Sequence, residues 1–277
     1  MKIALCNEVL QPLPFAQQCA LAAALGYDGL EVAPFTLAPD PLEIGDAQAR
    51  EFARIASDHG LAITGLHWLL VAPAGLSIVS ADSAVRDRTA VVIERLVELC
   101  SLMGGRYLVH GSPRQRSVPP GESREVALER ARECLAQAAR VAERHGVTYC
   151  IEPLAAAETD LLNTIAEAAR LVDDIGSPAF KTMMDCSAAG QAEAETVAEL
   201  ILRWWPTGKL AHVQLNDPNR RGPGQGEMQF APILRALRAV GYDGVLAIEP
   251  FDYVPDGPGC AARAIGYLRG LLEAQHG

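Results

Sequence analysis

Two stretches of this chain end in the same way: Cys150-Ile151-Glu152-Pro153 and Ala247-Ile248-Glu249-Pro250. Each is a short apolar run that stops on a glutamate and is closed by a proline. A third run, Met183-Met184-Asp185, stops on an aspartate. Strands buried on both faces read as continuous apolar segments, so an acid at the last position has left the core. A single such acid would serve a salt bridge or a helix cap. Three at equivalent positions suit a shared divalent cation and leave carboxylates to carry protons.

The run Ala211-His212-Val213-Gln214-Leu215-Asn216-Asp217 adds polar residues at period two. His212, Gln214 and Asn216 share one face of such a strand, and Val213 and Leu215 take the other. With the apolar pair packed outward, His212 and Gln214 point inward. Gln214 is level with the strand end and is the better fourth ligand beside Glu152, Asp185 and Glu249. His212 lies deeper, where a hydrogen-bonded polar layer explains it as well as substrate contact does. A register shift of two would give His212 the ligand role. An oxygen-rich set of this kind suits Mn²⁺ or Mg²⁺ ahead of Co²⁺ or Zn²⁺, because zinc more often recruits several histidines or cysteines.

Further candidates stand at other strand ends. His67 and Trp68 close Gly65-Leu66-His67-Trp68, and His110 closes Val109-His110. Each histidine reads as a substrate contact or a rim hydrogen bond, and Trp68 as a pocket wall. Glu31 and Glu8 end the first two apolar runs, as pocket lining or as salt bridges. Gly222-Pro223-Gly224-Gln225-Gly226 reads better as a rigid turn presenting Arg220 than as a phosphate cradle. The arginine-rich stretch 114–130 alternates with acids and reads as a solvated helix face.

These residues need a scaffold that brings strand ends together. Short apolar runs at Ile3–Cys6, Gly29–Val32, Ala62–Leu66, Tyr107–Val109, Thr148–Ile151, Lys181–Met184, Leu210–Leu215 and Val245–Ile248 alternate with helical patterns. Those patterns cover Pro14–Leu25, Ala47–His59, Ala84–Met103, Arg124–His145, Thr164–Ile175, Glu193–Trp205, Ala231–Val240 and Cys260–Ala274. Eight strands in strict alternation with eight helices predict an α/β fold, a single (β/α)8 TIM barrel over residues 1–277. The acids then lie on its C-terminal rim, where barrel active sites are built. Leu69–Ser83 and Gly111–Gly121 are long loops on that rim, read as lids or substrate walls.

Composition narrows the rest. A net charge of −10 and a pI near 5.1 argue against a nucleic-acid or anionic-membrane surface. Seven scattered cysteines without a CxxC pair fit a reducing, cytoplasmic compartment. The first residues reach an acid by Glu8 and do not read as a signal peptide. No stretch approaches the roughly 18 apolar residues of a membrane span.

The ordered set Ile-Glu-Pro, Met-Met-Asp, His-Val-Gln and Ile-Glu-Pro-Phe resembles the xylose isomerase-like TIM-barrel superfamily, over essentially the whole chain. Within it, the ketose 3-epimerases and hydroxypyruvate isomerases are the closest likenesses. The resemblance implies a metal held by Glu152, Asp185, Gln214 and Glu249, with Gln214 where the ketose epimerases usually carry histidine. It implies substrate contacts from Glu158, Arg220 and Phe251, with Glu152 and Glu249 as the acid/base pair. A histidine that the epimerases place three residues beyond the aspartate is here Ala188, which puts the substrate in doubt.

The expected activity is isomerisation or epimerisation of a small ketose or hydroxy-keto acid through a cis-enediolate. The alternative is a lyase or dehydratase on the same barrel, resembling 3-dehydroshikimate dehydratases or keto-glycoside-eliminating enzymes. Six histidines and the acidic charge speak against a multi-zinc endonuclease. The look-alike families are commonly homodimers or homotetramers.

Overall fold

The computed structural model describes residues 1–275. Its eight strands are β1 (Lys2–Cys6), β2 (Gly29–Val32), β3 (Ala62–Leu66), β4 (Tyr107–His110), β5 (Thr148–Ile151), β6 (Phe180–Asp185), β7 (Leu210–Leu215) and β8 (Val245–Ile248). They pair in parallel in sequence order, and β1 pairs with β8 to close the barrel. The predicted strands are all present, five with the predicted bounds, β1 and β4 extended by one residue at one end and β6 by one at each end.

Around them pack α1 (Phe15–Leu25), α2 (Asp46–Asp58), α3 (Ser83–Leu102), α4 (Arg124–His145) and α5 (Ile165–Ile175). They are followed by α6 (Cys186–Ala192), α7 (Val197–Trp204), α8 (Phe230–Ala239) and α9 (Gly257–Ala274). Local chemistry marks their ends. Asp82, Ser123, Thr164 and Asp256 accept from backbone N–H groups of the first turns of α3, α4, α5 and α9.

The predicted helix Glu193–Trp205 is corrected to the shorter α7, and α6, which the sequence reading did not predict, precedes it. Thr196 and Glu199 form a capping box that starts α7 at Val197. Ahead of it, Asp185 caps α6 directly at the end of β6. Seven residues with a glycine give too short a pattern to read as a helix from sequence.

The main core lies between strands and helices. Inside the barrel, Tyr107, Val109, Cys150 and Met183 form a small separate apolar cluster. All seven cysteine side chains are buried and unpaired. Among the described residues, no helix is long and apolar enough to cross a membrane.

Leu69–Ser83 is a fixed wall rather than a loose lid. Leu69, Leu70, Leu76, Ile78 and Val79 are buried, and the Ile78 N–H donates to the Gln115 carbonyl at 2.9 Å.

Candidate active site

Strand register brings the acids to one level. Asp185 is paired with Gln214, and Gln214 with Ala247, so Glu249 stands just above on the neighbouring strand. Glu152, Asp185 and Glu249 each offer a carboxylate oxygen, and these oxygens lie within 4.8 Å of one another. All three residues are buried. Gly111, following β4, lets Glu152 lean over the rim, because a Cβ there would overlap the Glu152 carboxylate.

Asn216 organises the cluster. Its Nδ2 donates to Asp185 Oδ2 (2.7 Å) and to the Glu249 carbonyl (3.1 Å), while its Oδ1 accepts from Ser187 N–H (2.7 Å). Asp185 Oδ1 accepts from Ala188 N–H at 2.6 Å, as the cap of α6. Position 188 therefore contributes a backbone donor to the aspartate.

Deeper in the barrel, Glu31 is fully buried at a register shift between β2 and β3. It accepts from Tyr107 O–H (2.6 Å) and Gln214 Nε2 (2.6 Å), and its Oε2 lies 2.8 Å from His212 Nε2, off the line of a good hydrogen bond. Burial alone would raise this carboxyl, but His212, His67 and Tyr107 hold it down at about 2. An anchored anion thus fixes the Gln214 amide, with Nε2 toward Glu31. That leaves Gln214 Oε1 buried and without a hydrogen-bond partner.

The rim acids behave oppositely. Burial pushes Glu152 and Glu249 well above the ordinary carboxyl range, and repulsion from Asp185 adds to it in both. Burial raises Asp185 to about 6, against the pull of Ala188 N–H and Asn216. Crowded carboxyls of this kind are short of a positive charge. Glu249 Oε2 is also buried and unpartnered. The three carboxylates could hold a hard divalent cation, and the unpartnered amide oxygen of Gln214, on the strand between Asp185 and Glu249, is a further donor of the kind such a cation takes.

The structure sorts the other candidates. His67 points into the site, with Nε2 2.9 Å from Glu8 Oε2 and 3.9 Å from Glu249 Oε1, and Nδ1 3.6 Å from Glu31. Although burial opposes it, Glu8 and Glu31 raise its pKa. Trp68, Glu158, Glu249 and Phe251 line a pocket over the acids, together with Gly111–Pro113. Trp68 and Phe251 meet edge to face at 6.0 Å, Arg220 lies 4.6 Å over Phe251, and Arg220 pairs with Glu158 at 3.5 Å. Trp68, Ser112 and Arg220 all have left-handed backbones, at φ 52°, 40° and 71°. Such strain, about 1–3 kcal/mol each, concentrates where a side chain must be aimed.

Two histidines expected to touch substrate lie elsewhere. His110 shares its parity with Leu108 and faces the helices, where Nδ1 meets Tyr149 O–H at 2.8 Å. Burial, and then Arg116, lowers its pKa to about 3, so the ring is neutral. His212 stacks on Tyr107 at 3.9 Å, beneath Gln214, and lines a cavity at the opposite end of the barrel. It belongs to the buried polar layer. That cavity, of about 520 Å³, gathers no group of acids and is not the chemical site.

Asn216 and Arg116 carried no role in the sequence reading. Period-two parity put Asn216 on the right face, and that signal could have found it. Arg116 corrects the expectation for 114–130, because it is fully buried in the loop after β4. Alternating charge gave no sign of that.

A closed parallel barrel with buried acids gathered on its C-terminal rim defines a (β/α)8 enzyme with an acidic mouth. The chain matches the xylose isomerase-like TIM-barrel family over residues 19–271 and belongs to it. It is similar to a D-psicose 3-epimerase of Agrobacterium fabrum, 30% identical over 83% of this chain and 76% of that protein. An L-ribulose 3-epimerase of Mesorhizobium japonicum is 30% identical over 82% of this chain and 72% of its own. In fold it superposes on a 3-keto-D-glucoside 4-epimerase of E. coli with a TM-score of 0.83, at 22% identity, covering 98% of this chain and 99% of that one. The chain is an enzyme of the isomerase and epimerase class.

Proposed function

We propose that the protein is a divalent-metal-dependent epimerase or isomerase of a small ketose or hydroxy-keto acid. Glu152, Asp185, Glu249 and the amide oxygen of Gln214 are its metal ligands, with Mn²⁺ or Mg²⁺ the best match. The observation that carries this is the convergence of two glutamates from β5 and β8 with Asp185, beside a buried amide oxygen that nothing else satisfies. The similarity to ketose 3-epimerases supports the substrate class.

A bound cation would stabilise the negative charge that an α-hydroxy ketone develops on its oxygens when a neighbouring C–H is broken. The chain's own groups do the remainder. Glu152 and Glu249 rise from strands on different sides of the mouth, so one can take the proton and the other return it on the opposite face. Use of both faces inverts the carbon; use of one moves the carbonyl. Asn216 holds Asp185 in place, and Glu31 keeps the Gln214 oxygen turned away from itself. Trp68 and Phe251 wall the mouth against water, and Glu158 and Arg220 offer hydrogen bonds to substrate hydroxyls.

The test is incubation with ketoses and hydroxy-keto acids in D₂O with Mn²⁺ or Mg²⁺. Deuterium is expected at the carbon beside the carbonyl, lost with EDTA and reduced about 10³-fold or more in Glu152→Gln. Loss of water or of a glycosyl group from the substrate would instead make it a lyase, and absence of exchange on every substrate would overturn the reading.

A further inference from the structure

Arg116 is the buried cation that the proposed chemistry leaves unused. It is 0% exposed, and its Nε, Nη1 and Nη2 are all buried without a hydrogen-bond partner. A guanidinium carries five N–H donors, and leaving them unmet in the interior is costly. Glu152 and Glu158 are close enough for their charges to act on it, but neither accepts a hydrogen bond from it. Both also have other tasks: Glu152 is in the acid cluster, and Glu158 faces Arg220.

The loop that carries Arg116 also builds the pocket. Gly111, Ser112 and Pro113 line it opposite Glu152 and Glu158, and the Arg116 N–H donates to the Pro113 carbonyl at 3.2 Å. The loop is held on both sides. Ile78 N–H donates to the Gln115 carbonyl, Ser117 Oγ to the Pro113 carbonyl (2.9 Å), and Val118 N–H to Asp160 Oδ1 (2.8 Å). The loop around Arg116 is therefore held in place, and the buried guanidinium feels the charges of Glu152 and Glu158, both of which line the pocket, without forming an ion pair with either.

We propose that Arg116 is a specificity residue that binds an anionic group of the substrate, a carboxylate or a phosphate ester. This deepens the function proposed above and rests on it. A planar fork of donors matches a carboxylate or phosphate in two parallel hydrogen bonds. Sugar hydroxyls could accept those bonds, but they would bring no charge to the buried cation. Of the two anions the carboxylate is favoured, because the mouth is already lined by acids and a singly charged group meets less repulsion there.

The experiment compares a neutral ketose, the matching keto acid with a terminal carboxylate, and the matching terminal phosphate ester, on metal-loaded protein. In Arg116→Gln, the ratio of kcat/KM for the anionic over the neutral substrate is expected to fall at least 30-fold, chiefly through KM. Arg116→Lys, which keeps the charge but loses the fork, should fall between the two and guards against a folding defect in the first variant. A carboxylate preference or a phosphate preference, either of them lost in Arg116→Gln, supports the assignment and names the anion. Equal losses on neutral and anionic substrates would overturn it and leave Arg116 as a charge partner of Glu152. Calorimetric binding of acetate and inorganic phosphate separates this result from the parent reading. If no substrate exchanges a proton, anion binding that is lost in Arg116→Gln still supports the subsite, and anion binding unchanged in that variant overturns it.

Discussion

At the scale of single residues, the amide of Gln214 and the carboxylate of Glu31 act as a unit. Glu31 accepts from Gln214 Nε2, which is what leaves Oε1 without a partner and open to the proposed cation. Glu31→Gln keeps one acceptor oxygen where Tyr107 and Gln214 now bond to one each. Such loss of an outer partner should weaken metal affinity about 10–100-fold, as titrated by calorimetry. It should also cost on the order of 1–3 kcal/mol of stability in urea unfolding, because a buried donor is left without its acceptor. Unchanged metal affinity would remove Glu31 from this role. Parity put Gln214 on the inward face, since side chains alternate whatever the tertiary context, and the family resemblance added its proposed ligand role. His110 was misleading for a related reason. Standing at a strand end says nothing about face, and its parity with Leu108 turned it outward. Arg116 was illegible because burial of a loop arginine depends on contacts from residues far along the chain.

At the scale of elements, α6 ties the site to the helix layer. Asp185 ends β6 and caps α6, and Asn216 at the end of β7 reaches Asp185, the start of α6 and the Glu249 carbonyl. Asn216→Ala should therefore loosen three elements at once. Metal affinity is expected to drop about 10–100-fold with proton exchange falling in step, measured by metal titration and D₂O uptake. A variant with full affinity would show that the capped helix alone holds Asp185. The eight strands were readable because both-face burial writes continuous apolar runs. The boundary between α6 and α7 was not, because Asp185 was read as a ligand and its capping role was hidden behind that assignment.

At the scale of the whole molecule, the acid cluster makes stability depend on pH and metal together. A carboxyl raised in the folded state contributes stability below its unfolded value that is lost as pH rises through the folded one. Asp185, raised from 3.8 to about 6, has that sign, and Glu152 and Glu249 are raised in the same direction. Metal-free protein should thus gain stability as pH falls from 8 to 6.5, chiefly as Glu152 and Glu249 take up protons, with Asp185 beginning to contribute at the lower end. The window stops there because His110, lowered from 6.5 to about 3, costs stability on further acidification. Saturating metal should raise Tm at pH 8 and flatten this slope, and so should Asp185→Asn without metal. Thermal melts at four pH values suffice, and a metal-free slope of the opposite sign would contradict the crowding described for these acids.

The apolar cluster of Tyr107, Val109, Cys150 and Met183 across the barrel interior has a kinetic corollary. The mouth and the cavity at the other end share no lining residue, so the barrel is a cup and not a tunnel. Whatever enters over Trp68 and Phe251 has to depart the same way. In the proposed epimerisation, product and substrate would then share one doorway as well as one site, and each is expected to inhibit conversion of the other competitively.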